Sequence, residues 1–229
     1  MYKNIFIDLD DTLWDTAHNN KECLKEIYAD YDMKRHYASF EAFYDIYMPH
    51  NLDLWAKYRE GIIDRQTLII ERFRYVTAPI GIEKKEDVLS LNNDFLMRTT
   101  KKTKLIDGAI DLLEYLYPRY RLFILSNGFR EVQSLKMENS GILKYFERII
   151  LSEDAEIPHK GIFDYALINT NSKRNESVML GDSWDADIVG AYNSKIDQIW
   201  FNPKGEEPKG FVPTVTIKDL KEIIIRRIL

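Results

Sequence analysis

Residues 5–13, Ile-Phe-Ile-Asp-Leu-Asp-Asp-Thr-Leu, constrain the fold of this chain more than any other stretch. Three successive apolar residues are typical of a buried strand, and this strand ends at two carboxylates, Asp8 and Asp10. Because side chains alternate along a strand, both carboxylates are expected on one side. Ligands of open α/β sheets bind at the carboxyl ends of parallel strands, and close carboxylates repel unless a cation or shared proton relieves them. A divalent metal is therefore the natural partner of this pair.

The sequence pattern changes after Leu13. From about residue 15 to residue 100, apolar residues recur at helical spacing with almost no β-rich alternation, which predicts an all-helical insertion. Turn signals divide it into helices over about 17–31, 40–60, 64–78 and 84–99. Four helices of that length are expected to form a small bundle. Most of its aromatic side chains are expected in the bundle core: Phe40, Phe43, Tyr44, Tyr47, Trp55, Tyr58, Phe73 and Tyr75.

An alternation of strands and helices resumes at Leu105. Apolar segments predict strands at 121–125, 148–151, 177–180, 198–201 and 214–217. Helices are predicted at about 108–117, 130–140, 162–171, 186–193 and from 218 onwards. This alternation indicates right-handed crossovers and a parallel sheet with helices on both faces. The predicted fold is α/β and Rossmann-like, with a core domain over 1–14 and 101–229 and a four-helix-bundle domain inserted at 15–100.

Two more predicted strands end at polar residues. Ser-Asn-Gly at 126–128 follows one apolar strand, and Gly-Asp at 181–182 follows another, with Asp187 five residues later. Each segment alone is a good turn or helix cap. The carboxyl ends of parallel strands share one edge of a sheet, however, so these residues are expected beside Asp8 and Asp10.

The order Asp-x-Asp-x-Thr, Ser-Asn and Gly-Asp-x-x-x-x-Asp, each after an apolar strand, resembles the haloacid dehalogenase-like (HAD) superfamily over the whole chain. In the phosphatases of that superfamily the first Asp is the nucleophile and the second is the general acid/base. The resemblance therefore implies these catalytic roles for Asp8 and Asp10, with an aspartyl-phosphate intermediate and Mg²⁺ as the cofactor. A haloacid dehalogenase is disfavoured, because Asp10 is the acid/base that phosphatases require.

The resemblance also assigns roles to the other strand ends. It implies that Ser126 and Asn127 bind the phosphate. The metal ligands that it implies are Asp8, Asp182 and the backbone carbonyl of Asp10. It further implies that Asp187 and Thr12 contact these ligands and hold them in position.

A lysine that offsets the charge of the nucleophile also belongs to the family pattern, which reads Lys-Pro, a few residues, then Ile-Phe. Residues 156–163 instead read Glu-Ile-Pro-His-Lys-Gly-Ile-Phe, with the lysine, Lys160, after the proline. Either Lys160 has taken over as the catalytic and phosphate-binding cation, or the family lysine is missing and activity is impaired. We favour Lys160, because the site otherwise sets carboxylates against a dianionic substrate. His159 is the alternative cation.

Charge and hydropathy restrict the partners. A net charge of −5 from 32 basic and 37 acidic side chains, with no basic block, does not favour binding to a nucleic acid polymer. No apolar run reaches the ~20 residues of a membrane span. We therefore expect a cytoplasmic protein, a monomer or small homo-oligomer, that acts on a small phosphorylated metabolite.

The inserted helices resemble the cap of one HAD subgroup. Residues 54–68, followed by Glu-Arg-Phe at 71–73, are similar to the cap of the YjjG-type pyrimidine 5'-nucleotidases. This resemblance implies hydrolysis of pyrimidine nucleoside 5'-monophosphates. Two alternatives remain: a phosphatase or mutase acting on a sugar phosphate or phosphoglycolate, and a phospho-accepting signalling switch. The helical insertion and Asp10 argue against the switch.

Overall fold

The chain divides into two compact units. The structure, a computed structural model, describes residues 1–155 and 161–229. The first unit combines Met1–Thr16 with Thr103–Leu229, and the second is the continuous segment Ala17–Lys102. The second unit is thus inserted into the sequence of the first.

Four helices form the inserted unit, as the spacing of its apolar residues predicts. They are α1 (Thr16–Asp30), α2 (Phe40–Arg59), α3 (Arg65–Thr77) and α4 (Lys85–Thr100). Ser39 and Asp64 cap α2 and α3, each accepting a hydrogen bond from a backbone N–H three residues later. Pro49 lies inside α2, which continues through it.

Aromatic rings fill much of the core of this bundle. Phe43, Tyr47 and Phe73 are buried, and their rings pack in series at centroid distances of 5.8 Å and 5.4 Å. Tyr75 is an exception among the aromatic residues expected mostly in the core, because it is 56% exposed and stacks on His50. Tyr75 follows Phe73 by two residues and therefore lies on the opposite side of α3.

A six-stranded sheet forms the centre of the first unit. Its strands are β1 (Asn4–Ile7), β2 (Arg121–Ser126), β3 (Arg148–Leu151), β4 (Ser177–Gly181), β5 (Asp197–Phe201) and β6 (Val215–Ile217). They lie in the order β3-β2-β1-β4-β5-β6, and every neighbouring pair is parallel. The predicted α/β class with a helical insertion is confirmed.

Helices cover both faces of this sheet. Those of the first unit are α5 (Ala109–Leu116), α6 (Arg130–Asn139), α7 (Ile162–Thr170), α8 (Val189–Asn193) and α9 (Lys221–Ile225). Because alternate strand residues point to opposite faces, Ile5 and Ile7 pack with α5 and α9, whereas Phe6 packs with α7 and α8. None of the helices in the described part of the chain combines the length and hydropathy of a membrane span.

Two helix starts differ from the predicted positions. A single π-helical turn, Trp184–Ile188, precedes α8, so the chain becomes helical before the expected residue Ala186. The reason is Ser183, whose hydroxyl accepts a hydrogen bond from the Ala186 N–H and caps this turn. The last helix begins at Lys221 rather than at Lys218.

Strand β1 lies where the strand order reverses. From β1 the chain moves outward through β2 and β3, then returns to the other side of β1 and continues through β4, β5 and β6. Ile7 pairs in register with both Ile124 and Leu180, so the ends of β1, β2 and β4 lie side by side. In open α/β sheets this reversal is where ligand sites form, beyond the carboxyl ends of the strands.

Candidate active site

Asp8 directly follows β1 and is buried. Its backbone N–H donates to the Leu180 carbonyl at 2.9 Å, which extends the pairing of β1 with β4 beyond the strand. Burial raises the pKa of the Asp8 carboxyl well above its ordinary value, and the charges of Asp187, Asp182 and Asp10 raise it further. The ionised form of Asp8 therefore needs a positive partner.

Two further carboxylates form an acidic cluster with Asp8. Asp182 follows β4, and Asp187 lies in the π-helical turn after it. One carboxylate oxygen from each of the three residues lies within 4.8 Å of the other two. Burial, and then the charge of Asp11, raise the pKa of Asp182 to about 7. Crowded carboxylate oxygens are the donor set that magnesium prefers, so these residues fit a hard divalent cation.

Gly181 makes room for this cluster. A Cβ atom at position 181 would lie 2.3 Å from Oδ2 of Asp187. The absence of a side chain lets the carboxylate approach the backbone this closely. The same oxygen accepts a hydrogen bond from the Ser183 N–H at 3.0 Å, so Asp187 is held against the end of β4.

Thr12 joins the loop after β1 to the loop after β4. Its hydroxyl donates to Oδ1 of Asp182 at 3.3 Å, and its oxygen accepts from the Asp182 N–H at 3.1 Å. The indole N–H of Trp200, in β5, donates to the Asp182 carbonyl at 2.9 Å. Contacts from two neighbouring segments therefore fix the position of Asp182.

Ser126 ends β2 and is buried. Its Oγ accepts hydrogen bonds from the Gly128 N–H at 3.2 Å and from Nε2 of Gln133 at 2.8 Å. With both contacts directed at the oxygen lone pairs, the hydroxyl proton remains available for a ligand oxygen. The next residue, Asn127, is partly buried at the same edge of the sheet.

The Asp10 carboxylate accepts hydrogen bonds from three side chains. Thr16 Oγ1 and Lys136 Nζ each lie 2.7 Å from Oδ1, and Gln133 Nε2 lies 2.5 Å from Oδ2. Burial alone would raise the pKa of Asp10. The charge of Lys136 and the hydrogen bonds from Lys136, Thr16 and Gln133 together outweigh it, so the pKa lies below its ordinary value.

Gln133 and Lys136 are site residues that the sequence reasoning missed. Both lie on the buried face of α6, together with Val132 and Met137. The signal appears only once the fold shows that the four positions share the core-facing side of α6, because two of them are polar. A polar pair on the core-facing side of the helix that follows the Ser126 strand is unusual enough to indicate a site.

The structure brings most of the predicted site residues to one sheet edge, within the first unit. These are Asp8, Asp10, Thr12, Ser126, Asn127, Asp182 and Asp187. The predicted lysine, Lys160, and its alternative His159 lie outside the described residues. The positive charge described at this edge comes from Lys136, which contacts Asp10.

Comparisons with known proteins agree with this geometry. The family described as haloacid dehalogenase-like hydrolase matches residues 5–201. The chain is 30% identical to pyrimidine 5'-nucleotidase YjjG of Escherichia coli, over 96% of this chain and 95% of that protein. It is 31% identical to pyrimidine 5'-nucleotidase PynA of Streptococcus pneumoniae, over 88% and 84%. Magnesium-bound HAD-hydrolase YfnB of Bacillus subtilis has the same fold, with a TM-score of 0.86, 27% identity, and coverage of 100% and 99%.

Proposed function

Because this chain belongs to the haloacid dehalogenase-like hydrolase family and is a phosphoric monoester hydrolase, we propose that it is a Mg²⁺-dependent pyrimidine nucleoside 5'-monophosphate phosphatase. The substrate assignment rests on the similarity to two pyrimidine 5'-nucleotidases over most of the chain. The site geometry supports the chemistry, because it combines a buried carboxylate with a proton-transfer group and a cation-binding cluster. We expect the enzyme to work in the cytoplasm.

The proposed reaction has two displacements at phosphorus. A carboxylate oxygen of Asp8 forms a bond to phosphorus, and the bond to the leaving oxygen breaks as Asp10 gives that oxygen a proton. Water then attacks phosphorus and passes a proton to Asp10, and the bond between phosphorus and Asp8 breaks. Both carboxyl groups return to their starting forms.

The hydrogen-bonded state of Asp10 suits the second displacement. Its three donors favour the ionised carboxylate, the form that accepts a proton from water. The first displacement needs the protonated form. A dianionic phosphate beside Asp10 favours that form, since a nearby negative charge raises the pKa of a carboxyl. The substrate itself thus helps to load the proton that its leaving group requires.

The remaining residues bind the phosphoryl group and the cation. The Ser126 hydroxyl and the Asn127 backbone N–H are proposed to donate hydrogen bonds to phosphate oxygens. Asp8, Asp182 and the Asp10 carbonyl are proposed to hold Mg²⁺, with Asp187 and Thr12 supporting them. When bound, the ion offsets the negative charge of the carboxylates and of the phosphate. Phosphate ester hydrolysis is very slow without such charge neutralisation.

Added Mg²⁺ should raise the melting temperature of the protein more at pH 8 than at pH 6. Burial in the folded protein raises the pKa of Asp182 from its ordinary value of 3.8 to about 7. An acid whose pKa is raised by folding destabilises the fold as pH rises between these values, because the unfolded chain loses its proton first. Bound Mg²⁺ offsets the repulsion between the ionised carboxylates. At about 100 times its Kd we therefore expect the melting temperature to rise by roughly 5–10 °C. Calorimetry of metal-free protein at both pH values measures the effect.

The control for this prediction is Na⁺ at matched ionic strength, which should reproduce little of the gain. Asp182→Asn should weaken the response to Mg²⁺ at both pH values. An equal Mg²⁺-induced shift at pH 6 and pH 8 would contradict the assignment of this cluster as the cation site.

Substrate selection requires residues beyond the phosphoryl site. Asp8, Asp10, Ser126 and Asp182 act on the phosphoryl group and one metal ion, which all phosphate monoesters present alike. We expect the inserted helices, which resemble the cap of the pyrimidine nucleotidases, to supply contacts to the base. A pocket shaped for one ring excludes a purine by size.

Uridine, deoxyuridine and thymidine 5'-monophosphates should therefore be hydrolysed in preference to purine nucleotides, by roughly 10–100-fold in kcat/KM. Phosphate release measured side by side on nucleotides, hexose phosphates and phosphoglycolate tests this order. Protein carrying Asp8→Asn, purified identically, measures any contaminating phosphatase. A higher kcat/KM for phosphoglycolate or a hexose phosphate than for every pyrimidine nucleotide would remove the nucleotidase assignment and favour a sugar-phosphate enzyme.

The phospho-accepting switch is distinguished by the lifetime of its phosphoprotein. A switch would accumulate as a stable phosphoprotein, whereas Asp10 should return this enzyme to its free form within each turnover. Multiple turnovers of an aryl phosphate with Mg²⁺ would exclude the switch.

A further inference from the structure

We propose that Gln133 and Lys136 are positioning residues that hold the Asp10 carboxyl in place for proton transfer. The inference rests on the proposed reaction, in which Asp10 moves one proton in each displacement. It concerns how this fold orients the acid/base, and it assigns a role to two side chains of α6.

Direct contacts connect the pair to both sides of the site. Gln133 Nε2 lies 2.5 Å from Asp10 Oδ2 and 2.8 Å from Ser126 Oγ, so a single amide group joins the loop after β1 to the end of β2. Lys136 Nζ lies 2.7 Å from the other Asp10 oxygen. The two carboxylate oxygens are thus held by separate donors, which fixes the direction of the carboxyl as well as its distance.

Packing holds both side chains where they are. Gln133 is completely buried, and a Cβ atom on Gly128 would lie 2.3 Å from its Nε2, so the backbone approaches the amide closely. The Lys136 side chain is 6% exposed, and its Nζ lies 4.3 Å from the ring centroid of buried Trp14. Within the described chain, Asp10 is the carboxylate with which Lys136 forms an ion pair. Neither donor can move away without leaving a buried polar group unpaired.

The orientation of the Gln133 amide indicates a use beyond packing. Its Oε1 is buried and has no hydrogen-bond partner in the described structure. A buried acceptor without a donor is unfavourable. The fold nevertheless keeps this arrangement, in which Nε2 contacts both Ser126 and Asp10. Removing the constraint on Asp10 should slow proton transfer, because a misplacement of about 1 Å costs on the order of 100-fold in rate.

Nitrophenyl phosphate separates the two proton transfers. Its phenolate leaves without a proton, so the first displacement needs little from Asp10, whereas the second still requires Asp10 to take a proton from water. If the Asp10 carboxyl is no longer held in place, the steady-state rate should therefore fall, whereas the first release of nitrophenol should keep its rate. A cation that instead binds the phosphoryl group would support the first displacement and substrate affinity.

Stopped-flow release of nitrophenol by Lys136→Met and Gln133→Met tests the proposal. We expect the burst rate and kcat/KM to stay close to wild type, while the steady-state rate falls about 100-fold and KM falls with it. Lys136→Arg, which retains the charge, should recover part of that rate. Lys144→Met, the same change at an exposed position of the first unit, should behave as wild type. Melting temperatures confirm that each variant is folded, and Gln133→Met decides the outcome if Lys136→Met does not fold.

Two results would overturn the inference. Wild-type kinetics in both variants would make the pair structural only. A slowed burst with a lowered kcat/KM would instead place Lys136 on the phosphoryl group. Because the substrate is an aryl phosphate, the test does not depend on nucleotide preference. If the enzyme does not prefer pyrimidine nucleotides, the inference about Gln133 and Lys136 still stands. If the wild-type enzyme forms no aspartyl-phosphate on Asp8, the proposed reaction itself is wrong.

Discussion

Phosphate release should fall to the background rate when Asp8 is replaced by asparagine, while the protein stays folded. The amide has nearly the volume of the carboxylate but is a poor nucleophile, so the aspartyl-phosphate cannot form. The backbone hydrogen bond from residue 8 to Leu180 is unaffected by the change. Loss of the nucleophile from an enzyme that uses covalent catalysis lowers kcat on the order of 10⁴–10⁶-fold. Phosphate release from a pyrimidine nucleotide with Mg²⁺ measures the effect.

The same variant should have a higher melting temperature than the wild type in metal-free buffer. Asp8 is buried beside Asp182 and Asp187, so removing its charge relieves repulsion that only a cation or protons otherwise relieve. Asp111→Asn, a matched change at an exposed position of α5, should preserve both activity and melting temperature. Wild-type-like turnover by Asp8→Asn would rule out the nucleophile assignment.

Replacing Asp10 with asparagine should lower kcat for a pyrimidine nucleotide by about 10²–10⁴-fold, the usual contribution of a general acid/base. The alkoxide of a nucleoside is a poor leaving group, so the first displacement needs a proton that the amide side chain cannot give. The variant should fold but melt at a lower temperature, because buried Lys136 loses the carboxylate with which it forms an ion pair. Rapid-quench measurement of nucleoside formation reports the first displacement directly.

Thermal unfolding and Mg²⁺ binding serve as controls for Asp10→Asn, because the backbone carbonyl proposed as the metal ligand is retained. Mg²⁺ binding should remain close to wild type, and the melting temperature should confirm that the variant is folded at the assay temperature. A burst of nucleoside at the normal rate would show that another group protonates the leaving oxygen, and Asp10 would then be left with the second displacement alone.

The parts of this protein that could be predicted from sequence are those with an unambiguous local pattern. Ile5, Phe6 and Ile7 are buried on both faces of the sheet, so the apolar run alone was enough to identify β1 and the position of Asp8 after it. The strands before Ser126 and Asp182 follow the same rule. Parallel strands end at one edge, so three local patterns were sufficient to place these side chains together.

Helix α6 shows why the rest could not be predicted. Apolar periodicity favours burial of Leu135 and exposure of Lys136, yet Leu135 is 38% exposed and Lys136 is buried. The reversal depends on Asp10 and Ser126, which are brought next to α6 only by the sheet. The charge of Lys136 is tolerated in a buried position only beside its partner Asp10, which is more than 100 residues away in sequence. No window of local sequence contains that information.

The turn after β4 illustrates a smaller failure of the same kind. The sequence predicts an α-helix from Ala186, but the chain forms a π-helical turn from Trp184. Such turns are frequent at functional sites. Here the turn carries Asp187 back to the Ser183 N–H and into the acidic cluster. Propensity alone does not distinguish these two kinds of turn, because the difference depends on tertiary contacts.

The pairing of β1 also bears on the order in which the chain can fold during synthesis. Asn4 pairs with Arg121 on one side and with Ser177 on the other, so the strand that precedes Asp8 has no neighbour until more than half of the chain has been made. The inserted helices, by contrast, come from one continuous segment with its own apolar core. Local contacts form faster than distant ones, and domains generally fold as units as they emerge from the ribosome. The insertion can therefore fold while β1 is still an unpaired apolar segment, and Asp8 acquires its surroundings only when β4 arrives.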